Sequence, residues 1–481
     1  MSLKQNLRKH SLVIALVIVY IMADMVLTFR EIYLLNLLPL VVLVIYLALA
    51  RLDIMYFIIV ALTPLSIQLL EFFPGFPIDF AIPTEPLLFG VMLLLIYRTA
   101  LHGFRHKEIG NHPVTYAILF YLFWMFFTSC TSVMPLVSFK FLLARIWFVV
   151  IYYYLAILVF RHTNNIRVFI LSYTFPMLVV IAYAISRHLS YGLFDKQAAH
   201  FVMNPFFRDH TSYGAILAML FFALGGLVIG KKRDLLFNLL TWGTWGIVTL
   251  ALILSYTRAA WISVLISLIV LLLVLLKIKL RYIMLVGILG ILYMTGQRTE
   301  IIHKMENNRQ ESSARLSEHV KSISNITTDE SNLERINRWN AALRMFRERP
   351  FFGWGPGTYM FKYAPYQRGA EKTGISTDFG DMGNAHSEYI GPLAESGLLG
   401  SLSFIAIAVL SLMTGFRVYT RIQDNRLKQL VLSLLLGYIT YLIHGTLNNF
   451  LDTDKASALF WGFTAVFVAL DLSLKELDTQ N

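Results

Sequence analysis

Residues 335–357, RINRWNAALRMFRERPFFGWGPG, and residues 384–400, NAHSEYIGPLAESGLLG, carry most of the functional information in this chain. Both lie in a long polar segment from about Gly296 to Gly391, whereas most of the remaining sequence is apolar enough for a bilayer. This segment is therefore the one sizeable part of the chain where chemistry can take place in water. We expect a membrane scaffold that holds one active loop.

The composition is typical of a polytopic membrane protein. Of the 481 residues, 57% are hydrophobic and only 15% are charged, whereas an ordinary soluble domain is about 25% charged. The net charge of +12 would favour nucleic-acid binding in a soluble chain. In a membrane protein basic residues first report orientation, so we predict no nucleic-acid partner. The single cysteine, Cys130, excludes disulfides within the chain and cysteine-based metal clusters.

Apolar runs of about 17 to 25 residues predict about fourteen membrane spans, because a run of this length crosses a hydrocarbon core of about 30 Å. The first, second and eleventh runs are the weakest, which leaves twelve spans as an alternative. The predicted fold class is all-α, with 12–14 transmembrane helices and one large helical loop. The predicted spans lie near residues 11–29, 32–50, 53–73, 86–101, 113–131, 140–160, 167–189, 212–230, 235–254, 259–276, 281–296, 391–415, 428–448 and 456–474.

These spans divide the chain into three regions. Residues 1–296 are predicted to hold spans 1–11, residues 297–390 the loop, and residues 391–481 spans 12–14. Cytoplasmic connections are enriched in Lys and Arg, so both termini are predicted to be cytoplasmic and the loop extracytoplasmic. An enzyme on that face lacks nucleotide-activated substrates, so we expect its donor to arrive on a lipid. The basic connections on the side of the N-terminus are 102–107, 161–167, 231–233, 277–281 and 417–426.

The first stretch predicts a helix over Ser331–Arg349. Ser331 and Glu334 have the spacing of a capping box, and Pro350 ends the helix. Its apolar residues recur at helical spacing with arginines beside them, so the helix can present guanidinium groups to a lipid headgroup; a solvated basic face is the alternative. Three glycines in Gly353–Gly357 allow a tight turn.

The second stretch places ionisable side chains at the mouth of a predicted span. His386 precedes the predicted span, and Glu388 and Glu395 follow His386 in the chain. Such groups are costly at a membrane boundary unless they line a wet cavity, so they mark a candidate site. Histidine is the side chain best suited to take a proton near neutral pH. An incidental interfacial histidine is the alternative.

Other charged residues at predicted span ends can support such a site. Arg145 can snorkel outward or line a donor groove. Arg208 precedes Asp209 and His210 in a predicted external connection and can form a wall of the acceptor cleft. Another polar group at the end of the thirteenth span can contact sugar hydroxyls, with loop capping as the alternative; it comprises His444, Asn448, Asn449, Asp452, Asp454 and Lys455.

Five short motifs follow one another within and just before the polar segment. In chain order they are S-x-T-R-A-x-W (Ser255–Trp261), R-x3-W (Arg335 and Trp339), G-x-G-P-G (Gly353–Gly357), H-x10-G (His386 and Gly397) and L-x-E-x-G-x-x-G (Leu393–Gly400). Together they resemble the O-antigen ligase and polymerase family of bacterial membrane glycosyltransferases, over roughly residues 205–410. Trp339 stands where the ligase pattern often has Leu.

The resemblance implies an inverting glycosyl transfer that needs no metal and no cofactor. The donor would be a glycan on a polyprenyl diphosphate such as undecaprenyl diphosphate, and His386 would be the catalytic base for the acceptor hydroxyl. Arg258 and Arg335 would bind the diphosphate, with Arg338 as the nearby alternative, because the planar guanidinium pairs with phosphate oxygens. Glu388 or Glu395 would orient His386, although Glu395 can equally cap or pair within its helix.

The resemblance also implies a location in the bacterial cytoplasmic membrane, with the loop in the periplasm. Ligation to a lipid A core is our first interpretation, within lipopolysaccharide biosynthesis. Polysaccharide polymerisation and transfer to protein hydroxyls share the same donor chemistry and remain alternatives. A transporter or flippase for lipid-linked sugar is an alternative of another class, but it predicts paired halves with broken helices near the midplane. Concentration of the polar motifs in one loop favours an enzyme.

Overall fold

The structure is a computed structural model that describes residues 3–31, 33–75, 79–103, 106–228, 235–278, 330–377 and 383–480. The chain divides into two compact units, Met1–Tyr56 and Phe57–Asn481. The predicted region boundaries at residues 296 and 390 remain predictions, and the first of them lies outside the described residues.

The first unit consists of apolar helices. A long helix, Leu3–Phe29, is followed by a 3-10 turn at Leu34–Leu37 and by the helix Leu38–Ala50. The Tyr20 hydroxyl donates to the Leu35 carbonyl over 3.3 Å, which links the long helix to the turn.

Ten described helices are long and apolar enough to cross a membrane, and three shorter apolar helices precede them. The all-α polytopic prediction is therefore confirmed, while the predicted span at 281–296 lies outside the described residues. The shorter helices are Ile14–Phe29, Leu35–Ala50 and Leu52–Leu65. The ten long helices are Thr84–His102, Pro113–Cys130, Pro135–Phe160, Asn164–Tyr191, His210–Val228, Leu235–Leu254, Arg258–Leu275, Gly391–Arg421, Asn425–His444 and Asp454–Asp478.

The predicted span at 53–73 ends earlier than its apolar run. The helix Leu52–Leu62 passes into a 3-10 turn at Thr63–Leu65, where Pro64 occupies the first turn. A two-residue strand, Ile67–Gln68, then pairs antiparallel with Ala81–Ile82. Hydropathy alone could not predict this reversal, because the residues that form the turn and the strand are themselves mostly apolar.

The C-terminal helix is the most enclosed of the long helices. In its apolar window 83% of the residues are buried, against 22% for Leu235–Leu254 and for Arg258–Leu275. Helices His210–Val228 and Asn425–His444 pack closely, because Gly226 leaves room for Ser433; an added Cβ would lie 2.4 Å from the serine hydroxyl. Buried helices such as these form the core that carries the loop.

A buried carboxylate joins three helices at the end of the C-terminal helix away from the loop. His112 Nε2 lies 3.3 Å from Asp471, Arg417 Nη1 lies 3.3 Å from it, and Lys475 Nζ lies 2.9 Å from it. The His112 Nδ1 atom accepts the Val114 backbone N–H over 3.2 Å, so the proton of a neutral ring lies on Nε2 and points to the carboxylate. We call these four side chains the Asp471 cluster.

Candidate functional site

The helix of the polar segment, called the loop helix, spans Glu330–Glu348 and ends just before Pro350. Its most buried face is not the predicted apolar stripe. The apolar side chains of that stripe are half-buried, which leaves part of their surface available to lipid. The side chains that face the protein are mostly polar or small. The buried residues of the loop helix are Glu334, Asn337, Arg338, Ala341, Ala342 and Met345.

The predicted capping box is wrong. Ser331 lies inside the loop helix, and its hydroxyl accepts a hydrogen bond from Arg335 Nη1 over 2.9 Å. Glu334 does not reach back to the helix start; its carboxylate accepts from Arg338 Nε over 2.8 Å and from the Thr373 hydroxyl over 3.1 Å. The carboxylate ties the helix to the chain that follows it, a tertiary contact that local spacing could not reveal.

The two informative stretches of sequence bind each other directly. Trp354 N–H donates to the Ala394 carbonyl over 2.9 Å, and Leu398 N–H donates to the Pro350 carbonyl over 3.0 Å. The helix Gly391–Arg421 is broken at Gly397, where φ is +68°. An added Cβ there would lie 2.1 Å from the Phe351 carbonyl oxygen. Glycine is needed at the break because the backbone of Phe351, just before the GWGPG turn, approaches so closely and because φ is positive there.

The GWGPG turn is also fixed to the membrane helices. Val133 N–H donates to the Trp354 carbonyl over 3.1 Å, and the Ser138 hydroxyl donates to the Pro356 carbonyl over 2.8 Å. At Gly355, whose φ is +115°, an added Cβ would lie 1.9 Å from the Ser132 hydroxyl. These contacts hold the GWGPG turn against one set of helix ends, which we call the loop face.

His386 lies on the loop face, and its backbone is constrained. Its φ is +48°, its N–H donates to the Asn384 side chain over 3.0 Å, and Trp339 Nε1 lies 3.5 Å from its carbonyl oxygen. The residue as a whole is half-buried, while the imidazole ring is largely surrounded by protein. Burial, with Arg338 and Arg335 nearby, lowers the pKa of His386 to about 3, against a hydrogen bond to Asn448 that raises it. The imidazole is therefore neutral at neutral pH.

Arg335 and Arg258 both approach His210, from two different elements. Arg335 Nε donates to the Leu447 carbonyl over 3.1 Å, and this guanidinium interacts electrostatically with both His386 and His210. Arg258, the first residue of its helix, also interacts electrostatically with His210. The Thr257 hydroxyl donates to the His210 carbonyl over 2.7 Å, which joins these helix ends. The structure thus brings Arg258, Arg335 and His386 to one region of the loop face.

Arg338 is more fully engaged than the other two arginines. It is 6% exposed, pairs with Glu334, and donates to the Asn384 carbonyl over 3.2 Å. Its guanidinium also lies over the Tyr363 ring, 5.4 Å from the centroid. Since a carboxylate already neutralises it, Arg338 is poorly suited to binding a diphosphate.

The four supporting residues occupy structural positions. Glu388 Oε1 accepts backbone N–H groups of residues 450 and 451 over 2.8 and 2.9 Å, and the Tyr441 hydroxyl over 2.6 Å. Arg145 is buried and donates to the carbonyl of residue 451. Glu395 accepts the Tyr359 N–H over 3.1 Å, at the start of a separate short helix and not within its own helix. Arg208 is largely exposed and pairs with Asp79.

For Asn448 the sequence predicted a contact with sugar hydroxyls, with loop capping as the alternative. The structure places its Nδ2 3.0 Å from His444 Nε2, four residues earlier, and near His386, whose pKa it raises. The four-residue separation from His444 was the available signal, because it brings two side chains together at a helix end. Its proximity to His386, 62 residues earlier in the chain, had no sequence signal.

Within the described ranges, no three His, Cys, Asp or Glu side chains are grouped so that they could hold a metal ion. The described part of this region does contain arginine, histidine and amide groups. Such groups bind anions and transfer protons.

Residues 243–405 match the family model described as O-antigen ligase. The match contains Arg258, Arg335, Arg338 and His386, and it lies within the predicted range of about 205–410. The predicted family resemblance is therefore confirmed over these residues. No curated protein matches the chain.

Proposed function

Proceeding from this O-antigen ligase region in a multi-pass membrane protein, we propose that the chain transfers a glycan from a polyprenyl diphosphate to an acceptor hydroxyl. The observation that supports this most strongly is the position of Arg335. It interacts electrostatically with His386 on one side and with His210 on the other, and Arg258 also faces His210. A base and two permanent cations within one region suit an anionic donor and a nucleophilic hydroxyl.

Arg258 and Arg335 bind the diphosphate. Each carries a permanent charge and a planar set of donors that matches phosphate oxygens. As the bond between the anomeric carbon and the diphosphate oxygen breaks, negative charge develops on that oxygen. The arginines stabilise this charge more strongly in the transition state than in the bound donor, and this difference accelerates the reaction.

His386 takes the proton of the acceptor hydroxyl. The acceptor oxygen forms the new bond to the anomeric carbon while polyprenyl diphosphate leaves from the opposite face, so the configuration inverts. In the free protein the nearby arginines help to keep the pKa of His386 at about 3. A bound diphosphate neutralises them and raises this pKa, so the ring is a stronger base when the donor is present.

The proposed acceptor is a lipid A core, reached at the periplasmic face of the bacterial cytoplasmic membrane. A second lipid-linked glycan, as in polymerisation, or a protein hydroxyl could use the same donor site. Part of the predicted catalytic loop lies outside the described residues. The acceptor is therefore to be identified by analysis of the product.

The test is glycan transfer in the native host by wild type and His386→Ala, with protein level and membrane insertion measured in both. Blots for lipid A core glycan, free polymer and glycoprotein separate the three acceptors. We expect the variant to insert normally and lose one of these products. His162→Ala, which changes an exposed histidine, is the matched control and keeps the product. Normal transfer by His386→Ala contradicts the proposal.

A further inference from the structure

The segment of residues 445–453, called the connecting segment, joins helices Asn425–His444 and Asp454–Gln480. Glu388 binds this segment at two places. The Glu388 N–H donates to the carbonyl of residue 445 over 2.8 Å. The Glu388 carboxylate accepts the N–H groups of residues 450 and 451 over 2.8 and 2.9 Å. Residue 447 lies between these two places, so Glu388 fixes the path of the backbone on both sides of it.

The connecting segment is also fixed to the membrane helices. Glu388 is 7% exposed, and the oxygen that binds the segment accepts the Tyr441 hydroxyl as well, over 2.6 Å. The carbonyl of residue 451 accepts from Arg145 and from the Ser457 hydroxyl, the latter over 2.7 Å. A carboxylate can accept several donors at once, and its hydrogen bonds are about twice as strong as those of neutral groups. Glu388 is therefore the central acceptor that holds the segment in place.

The connecting segment in turn holds Arg335. The carbonyl of Leu447 accepts from Arg335 Nε over 3.1 Å. A second contact comes from within the loop helix, where Arg335 Nη1 donates to the Ser331 hydroxyl over 2.9 Å. The N–H groups of a guanidinium lie in one fixed plane, so contacts at two of its nitrogens set the direction of the whole group. A shift of residue 447 would turn the Arg335 guanidinium while the loop helix stays in place.

We infer that Glu388 is a positioning residue for Arg335: it fixes the carbonyl of residue 447, and this carbonyl directs the guanidinium toward the donor diphosphate. This inference rests on the proposed function, in which Arg335 binds the diphosphate. The sequence had assigned Glu388 the orientation of His386. The hydrogen bonds described above direct its effect to the diphosphate site instead.

The test uses full-length protein in liposomes with a defined glycan on polyprenyl diphosphate as the donor. We expect Glu388→Ala to lower kcat by about 10- to 100-fold, because a misplacement of about 1 Å costs up to about 100-fold. KM for the donor should change less, since Arg335 acts most strongly in the transition state. Thr446→Ala is the control and should keep the wild-type kcat. This residue is exposed in the same segment, and its hydroxyl donates to the nearby Ile443 carbonyl over 2.7 Å.

A double-mutant cycle separates positioning of Arg335 from general damage to the site. Arg335→Lys keeps the charge but has no planar guanidinium for the carbonyl of residue 447 to direct. In that background Glu388→Ala should lower kcat no further, within about twofold. Arg258→Lys is the matched background, because Arg258 begins a different helix. There Glu388→Ala should show its full loss. An equal loss in both backgrounds would overturn the inference.

Glu388→Gln provides a second, milder variant. Its amide oxygen has two lone pairs for the three donors that the carboxylate binds, so about one hydrogen bond is lost. We expect kcat to fall by about 3- to 10-fold, as for one such bond. This loss should also vanish in Arg335→Lys and persist in Arg258→Lys. If Glu388→Ala inserts poorly, Glu388→Gln decides the question: a wild-type kcat, or a loss that persists in Arg335→Lys, overturns the inference.

The outcomes distinguish this inference from the proposed function. If Arg335→Lys lowers kcat while Glu388→Ala has the wild-type kcat, the positioning role is wrong and the proposed diphosphate site is kept. If Arg335→Lys transfers the glycan as wild type does, the proposed role of Arg335 itself fails, and the positioning role fails with it.

Discussion

Two histidines at opposite ends of the helices have contrasting surroundings. His112 lies against the buried carboxylate of Asp471 and also accepts a backbone N–H, so both ring nitrogens are occupied within the Asp471 cluster. His386 faces two arginines, Arg335 and Arg338, and the amide of Asn448 lies nearby. A histidine beside a carboxylate joins helices, whereas a histidine beside cations is kept neutral and is ready to act on an anionic substrate.

The largest expected effect distinguishes the arginines of these two regions. Arg335→Lys removes the planar set of donors, and we expect kcat/KM for the donor to fall by about 100-fold, as for the loss of a preorganised charge-stabilising group. Arg417→Lys is the control. Arg417 belongs to the Asp471 cluster, and the lysine keeps a positive charge at that position. Steady-state kinetics in liposomes measures both. Equal losses in the two variants would contradict the comparison.

A smaller effect is expected on stability, at the other end of the helices. Asp471→Asn leaves His112, Arg417 and Lys475 without their shared carboxylate. We expect the free energy of unfolding to fall by about 1–3 kcal/mol. Thermal unfolding in detergent measures it, and kcat per folded molecule should stay near wild type. Asp478→Asn removes a pair with Arg421 in which the aspartate side chain is 59% exposed. Exposed pairs contribute little, so its unfolding midpoint should not move. A large loss of kcat in Asp471→Asn would contradict the structural role.

The smallest expected effect concerns pH. The acidic limb of kcat/KM reports the free protein, in which the pKa of His386 is about 3, while the limb of kcat reports the donor complex. Protonation of His386 removes the base, so activity falls as pH drops through each pKa. A bound diphosphate raises that pKa, and the limb of kcat should therefore lie at higher pH. Coincident limbs would show that the donor does not approach His386.

Much of the fold could be predicted because hydropathy and helix length report directly on membrane spans. The helix ending before Pro350 was also predictable, since proline interrupts helical hydrogen bonding. The early end of the helix at Leu62 could not be predicted, because the residues of the turn and strand that follow are mostly as apolar as those of a membrane span. The capping box failed for a related reason: Glu334 is bonded to Arg338 and Thr373, and the latter contact depends on tertiary structure.

The candidate site was predictable to the extent that unusual residues stand at span ends. Arg258, Arg335 and His386 were identified in this way, and the structure places them in one region, although their chemical roles remain proposals. The partners of the acidic residues could not be predicted. Glu388 holds the backbone of residues 450 and 451, and Glu395 holds that of Tyr359, contacts that join distant parts of the chain.

The most direct measurement is single-turnover glycan transfer by purified protein in liposomes, with a defined polyprenyl diphosphate donor in excess of bound acceptor. Single-turnover conditions isolate the chemical step from product release. We predict that His386→Ala binds the donor as wild type does but transfers it about 10²- to 10⁴-fold more slowly, the usual contribution of a general base. A wild-type rate of transfer in this variant would contradict the account.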